Sequence, residues 1–246
     1  TIFIEPMAIV EANNKLRQLQ AEEAHEIERI LAALSAESGD ACFSIRNNFL
    51  IITDLAFVFA CGALADEMKC ACPNVVSERY IDLKQARHPL IARDKVVPND
   101  ITLGKTFNSL VITGPNTGGK TVTLKTTGLL CAMAQAGLHI PAREESVIGV
   151  CSDILADIGD EQSIEQSLST FSSHMVNIVD ILSHLSPNAL ILFDELGAGT
   201  DPVEGAALAI AILEFLRTFR VKTVATTHYS ELKICNAIVF CFKISI

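Results

Sequence analysis

Apolar positions along this chain follow two rhythms: a three-to-four spacing over long stretches, and short unbroken runs elsewhere. From about Ala8 to Ser38, Val10, Leu16, Leu19, Ile27, Ile30, Leu31 and Leu34 hold the first rhythm, with Glu, Gln, Lys and Arg between them. That spacing predicts one long amphipathic helix. At 1.5 Å per residue, about thirty residues span roughly 45 Å, well beyond an ordinary globular helix, which favours an arm or lever over a plain surface helix. Gly39-Asp40 is expected to end it, and residues 1–8 before it read as a short strand ending at Pro6. A second helix, about Asn47 to Lys69, is apolar on nearly all sides and is expected to be buried. Its run Phe49 to Ala65 is interrupted by Asp54 and is short for a membrane span.

Beyond Pro73-Asn74 the second rhythm takes over. Tyr80 to Leu83, Ile91 to Val97, Ser109 to Thr113, Ser146 to Cys151, Asp153 to Ile158, Ala189 to Phe193 and Val221 to Thr226 read as strands. Helices are expected at about Gly119 to Ala136, with Gly137 as its cap, at Ser172 to Leu185, and at Val203 to Phe219, with Pro202 in its first turn. Strands alternating with helices imply an α/β fold with one largely parallel sheet and helices on both faces. The expected organisation is a helical segment over residues 1–75 and an α/β domain over 76–246.

Composition narrows the picture. Half of the 246 residues are apolar, ample for a core. The charge of −10 argues against gripping nucleic acid by bulk charge, and leaves only contact through a local or missing segment. Eight cysteines form no C-x-x-C pair and lie mostly in apolar runs, which reads as reduced core cysteines of a cytoplasmic protein. No basic-then-apolar leader opens the chain. It opens on Thr1 and closes on an apolar strand, Phe240 to Ile246, so it is expected to be a piece of something longer.

The chemistry centres on Gly114-Pro-Asn-Thr-Gly-Gly-Lys-Thr121, which fills the pattern G-x-x-x-x-G-K-[ST] between a strand and a helix. Glycines let backbone N–H groups turn inward on phosphate oxygens, and the helix adds its positive end. Lys120 can place a charge on the β- and γ-phosphates, and the Thr121 hydroxyl can hold Mg²⁺. A strand running into Asp194-Glu195 delivers two acids to the same sheet edge. Asp194 is the candidate second oxygen for Mg²⁺, and Glu195 the candidate base or orienting group for an attacking water. His228, at the end of the next strand, is a candidate γ-phosphate contact, and Gln162 a candidate partner of the water. Ser167-Leu-Ser-Thr-Phe171 puts hydroxyls at a helix start, a second anion site that suggests a nucleotide supplied by a facing subunit, although serines there also serve as plain caps.

The order of these segments resembles the ABC-type ATPases and, within them, the MutS family. Gly114 to Thr121, Ser169-Thr-Phe171, Asp194-Glu-Leu-Gly-Ala-Gly-Thr200 and Thr226-Thr-His-Tyr229 all look like that family's motifs as they stand. A transporter's Leu-Ser-Gly-Gly-Gln type signature is absent. Thr117, Tyr80 to Leu90 and Gly199-Thr-Asp-Pro202 are most similar to the bacterial second-type MutS paralogue, as are Ile2-Phe-Ile-Glu-Pro6 and the long helix, which look like its lever region.

The resemblance implies ATP and Mg²⁺ as ligands and a homodimer with two composite sites. Gly114, Pro115, Asn116, Thr117, Gly118, Gly119, Lys120, Thr121 and Val122 would hold the nucleotide. Lys120, Thr121, Asp194, Glu195 and His228 would act in one subunit, and Ser169 would reach the partner's γ-phosphate. Val96 and Val97 occupy the stretch matching the adenine pocket, where some relatives carry an aromatic. The implied role is DNA-structure-dependent ATP hydrolysis that suppresses recombination, with an association to rescue of collided ribosomes and no membrane partner. Most of the clamp and upstream lever and the terminal nuclease domain are absent from this sequence, and residues 235–246 do not resemble the family's continuation. The competing reading is a truncated, non-catalytic nucleotide-binding or dimerisation module.

Overall fold

The computed structural model describes residues 6–114, 118–159, 167–229 and 240–242, with residues 167–170 and 240–242 described by backbone alone. The expected first strand and Gln162 lie outside the described residues, as do Pro115, Asn116 and Thr117. The chain divides into two compact units, Thr1–Ala60 and Cys61–Ile246.

The first unit is helical. Helix α1, Met7–Asp40, is 34 residues long, and α2, Cys42–Met68, runs from it into the second unit. Helix α1 ends at Asp40, as the Gly39-Asp40 pair predicts. The Ala41 N–H bonds back to Glu37 O at 3.2 Å and its carbonyl accepts from Ile45 N at 2.9 Å, so helical bonding carries across a one-residue turn. The expectation that the apolar second helix is buried fails: no residue of α2 is buried, and Phe43, Phe49 and Phe59 stand 82%, 68% and 74% exposed. All-round apolarity records that a helix needs a cover, but burial is a tertiary contact, and the described residues supply none. By length and composition α2 also meets the requirement for crossing a membrane, a test that core helices pass as well.

The second unit follows in the order β1 (Asn74–Val76), β2 (Ile81–Ala86), β3 (Asn99–Leu103), β4 (Ser109–Thr113), α3 (Lys120–Gln135), β5 (Val147–Gly149), β6 (Ile154–Asp157), α4 (Ser167–Ser183), β7 (Leu190–Phe193), α5 (Pro202–Phe219), β8 (Lys222–Thr227) and β9 (Phe240–Phe242). The five strands β6-β7-β8-β4-β9 pair in that order, all parallel. Side chains alternate across this sheet. Leu110, Ile112, Leu190, Leu192 and Val224 join α3 in one core. Val111, Ile191, Phe193 and Ala225 join α4 and α5 in the other. A strand buried on both faces favours apolar residues at successive positions, which is why β7 reads as an unbroken run.

The parallel sheet with helices on both faces forms as expected, and a smaller sheet that the sequence did not announce stands beside it. Strands β1-β5-β2-β3 make a second, mixed sheet whose Ile81, Leu83, Ile101, Leu103 and Ile148 pack into the α3 core. Ile91 to Val97 is not a strand, because its backbone bonds locally, Lys95 N and Val96 N both to Ala92 O. The strand starts at Asn99, where Ile101 and Leu103 alternate with polar residues and pair antiparallel with β2. The reading of the cysteines as core holds for Cys131 and Cys151, which are buried and free, but Cys42 and Cys72 are exposed.

Candidate functional site

Three elements converge at the carboxyl edge of the parallel sheet. The loop leaving β4 ends at Gly119, whose φ of +70° lies in the left-handed region where a side chain is strained. That turn lets α3 begin at Lys120 with its first N–H groups at the loop, and Thr123 closes the first turn through bonds to Gly119 O at 2.9 Å from its N–H and 3.0 Å from its hydroxyl. Strand β8 lies between β4 and β7, so the phosphate loop and the Asp194-Glu195 turn are held one strand apart.

Lys120 is only 2% exposed. Its ammonium donates to the Gly114 carbonyl of its own loop and lies 3.3 Å from His228 Nδ1. Burial pushes Lys120 below the ordinary lysine value, while the carboxylates of Glu195 and Asp194 pull the other way. A charged ammonium only donates, so His228 Nδ1 accepts and the ring proton is assigned to Nε2, which sits 3.3 Å from Glu195 Oε1. Lysine, histidine and glutamate thus form one connected line.

Asp194, 7% exposed, receives two hydroxyls on Oδ1: Thr121 at 3.1 Å and Thr226 at 2.5 Å. Glu195 has φ of +50°, and its N–H donates to the Thr226 hydroxyl at 2.8 Å. The loop that follows is tied to the end of β8. Leu196 N bonds Thr226 O at 2.9 Å, the Thr227 hydroxyl bonds Leu196 O at 3.2 Å, and the Tyr229 hydroxyl bonds Gly197 O at 2.8 Å. Helix α5 then starts under a cap from Asp201 to the N–H groups of Val203 and Glu204, with Pro202 in its first turn.

The structure therefore brings together Lys120, Thr121, Asp194, Glu195 and His228. Gly114, Gly118 and Gly119 frame them, and Val122 follows in the first turn of α3. Ser169 lies in the first turn of α4, with its side chain outside the described residues. That helix is pinned to β6: His174 Nδ1 lies 2.9 Å from Asp157 Oδ2 and Asn177 donates to Asp157 Oδ1 at 2.8 Å. Phe171 sits beside Gly199, where an added Cβ would be 3.2 Å from the phenylalanine Cβ. Three contributors carried no role in the sequence reading: Thr226, Tyr229 and the Asp157–His174 pair. Thr226 and Tyr229 bound the segment Thr226-Thr-His-Tyr229 that resembles a family motif, but that resemblance assigns a role only to His228.

Among the described residues no cluster of three or more His, Cys, Asp or Glu side chains can hold a metal by itself. Thr121 and Asp194 instead place two hard oxygens 3.1 Å apart. That set fits Mg²⁺, which takes oxygens at about 2.0–2.1 Å and commonly uses one or two protein ligands beside phosphate and water.

A parallel sheet with an interior strand that enters a glycine loop and helix, with hydroxyl and carboxylate converging beside a buried lysine, defines a P-loop ATPase domain. The chain belongs to the MutS family: residues 110–242 match MutS domain V, the family's ATPase domain. The match extends to residue 242, into the segment 235–246 that is expected not to resemble the family. The chain is similar to proteins called Endonuclease MutS2. It is 58% identical to that of Clostridium botulinum strain Langeland over 233 residues, 95% of this chain and 30% of that protein. The values are the same for Alkaliphilus metalliredigens, and the identity is 57% for Alkaliphilus oremlandii. This chain thus spans 30% of the length of those relatives.

Proposed function

We propose that this chain is the ATP-binding and hydrolysing motor of a MutS-type, DNA-structure-dependent ATPase acting in the cytoplasm. The observation that carries the reading is the Thr121–Asp194 pair, 3.1 Å apart beside the buried Lys120. ATP displaces the Gly114 carbonyl from Lys120 and takes its charge on the β- and γ-phosphates. Backbone N–H groups of Gly118, Gly119 and the start of α3 hold the phosphate chain, with Pro115, Asn116, Thr117 and Val122 completing the binding stretch. Thr121 and Asp194 hold Mg²⁺, which neutralises charge on the phosphate oxygens. Glu195 orients and deprotonates the attacking water, and His228, hydrogen-bonded to it, faces the γ-phosphate.

Ser169 belongs to the other half of the site. At the start of α4 it reaches the γ-phosphate held by a second copy, so the active form is a homodimer with two composite ATP sites. DNA, and the ribosome in rescue of collisions, are met through parts of the longer protein, and nucleotide-driven closure of the dimer suppresses recombination there. Steady-state hydrolysis and nucleotide binding test the core of this reading. Lys120→Ala is expected to lower ATP turnover by at least about 10²-fold. Glu195→Gln is expected to bind ATP yet retain it unhydrolysed. Normal turnover in either variant removes the role given to that residue.

A further inference from the structure

Thr226 stands on β8 opposite Ile112 of the phosphate-loop strand, and it is 0% exposed. Valine is the ordinary occupant of such a position in a central strand. A buried hydroxyl here needs a use, and the strand itself shows the contrast: Thr223, three residues earlier, buries its Oγ1 with no partner among the described residues. The Thr226 hydroxyl has two. Its proton goes to Asp194 Oδ1 at 2.5 Å, and its oxygen accepts the Glu195 N–H at 2.8 Å. Its carbonyl takes the next N–H, that of Leu196, at 2.9 Å. One residue therefore fixes three consecutive positions of the turn that carries both acids.

We infer that Thr226 is a positioning residue that sets the Asp194 carboxylate for the metal and holds Glu195 in its left-handed conformation. Both hydroxyls that reach Asp194 meet Oδ1, which leaves Oδ2 outside these two bonds. The Thr121 bond comes from the phosphate loop, whose ligand contacts change when nucleotide binds. The Thr226 bond comes from a strand paired on both sides, so it orients the carboxylate whatever the loop holds. Glu195, at φ of +50°, pays a steric cost that a non-glycine residue bears only where its surroundings over-determine it. The N–H bond to Thr226 supplies that determination. The inference rests on the metal and base roles proposed for Asp194 and Glu195.

The test is equilibrium binding of a non-hydrolysable ATP analogue across a Mg²⁺ titration, compared with binding in EDTA. Thr226→Val keeps the shape of the side chain and removes both bonds. It is expected to bind the analogue in EDTA like the unaltered chain and to need about tenfold more Mg²⁺ to reach half of the metal-dependent tightening. Thr226→Ser, which keeps the hydroxyl, is expected to restore the original midpoint. An unchanged midpoint in Thr226→Val, with Asp194→Asn shifted, overturns the inference alone. An unchanged midpoint in Asp194→Asn overturns instead the metal role of Asp194 on which it rests. If Thr226→Val does not fold, Thr226→Ser and Thr226→Ala decide: equal midpoints for that pair overturn the inference, and a shift confined to Ala upholds it.

Discussion

Lys120 shows how much a single position can carry. The loop pattern marks it as a phosphate ligand, but its state before the ligand arrives depends on what surrounds it. It is buried, bonded to Gly114 O and close to His228, and burial pushes its ammonium below the ordinary value. The unfolded chain therefore holds more protons than the folded one between the depressed value and 10.5. Folding stability from this group rises with pH across that window, the reverse of a lysine that gains a carboxylate partner. Nucleotide binding reverses the sign, because phosphate favours the charged form. Affinity for ATP is expected to fall as pH climbs through the depressed Lys120 value, with proton uptake on binding. Calorimetry in buffers of different ionisation enthalpy reads that uptake directly, and Lys120→Ala is expected to abolish both the uptake and the pH slope.

At the scale of elements, the decisive feature is the clasp between the end of β8 and the start of α5. Gly197, with φ of +86°, and Gly205 lie back to back, and a Cβ on Gly205 would run into the Gly197 carbonyl and the Tyr229 hydroxyl. One of those is backbone, so the neighbour cannot swing aside. Alanine is the better helix former by about 1 kcal/mol, and α5 taken alone would gain from Gly205→Ala. In the folded chain the overlap dominates. Gly205→Ala is expected to destabilise the domain by about 1–3 kcal/mol in denaturant unfolding. It is also expected to disturb the Tyr229–Gly197 bond, 2.8 Å long, beside the line of Lys120, His228 and Glu195. A stabilised variant would show that helix propensity outweighs the contact.

For the molecule as a whole, the proposed function makes the site on the parallel sheet one half of a composite, with a second copy supplying the other. Ser169 sits at the start of a helix pinned to β6 by His174 and Asn177, next to the loop at Gly199. The proposed composite site makes dimerisation depend on nucleotide. Mass measured by light scattering is expected to rise toward that of a dimer with ATP in Glu195→Gln and to stay monomeric in Ser169→Arg, which sets a bulky cation where the partner's phosphate should lie. A monomer with bound ATP in both variants would favour a nucleotide-binding module without turnover. The exposed apolar surface of α2 makes the nucleotide-free control essential, since association through that helix would not respond to ATP.

Local pattern determined much of this protein. The glycine loop, the apolar run into Asp194-Glu195 and the strand-end His228 were legible because each is a contiguous stretch whose chemistry is set by neighbours in the chain. So were the helices at Met7–Asp40, Lys120–Gln135 and Pro202–Phe219, to within a few residues. What needed the tertiary structure was whatever depends on partners remote in sequence. The second sheet arises because Ile101 and Leu103 find β2, a pairing across the connection 87–98 that no periodicity announces. The exposure of α2 is a fact about what packs on it, which its own apolar residues cannot record. Thr226 shows the limit most plainly: the sequence marks it as the start of a motif but gives it no contact, and only the parallel pairing of β7 with β8 puts its hydroxyl between an aspartate and a glutamate more than thirty residues away.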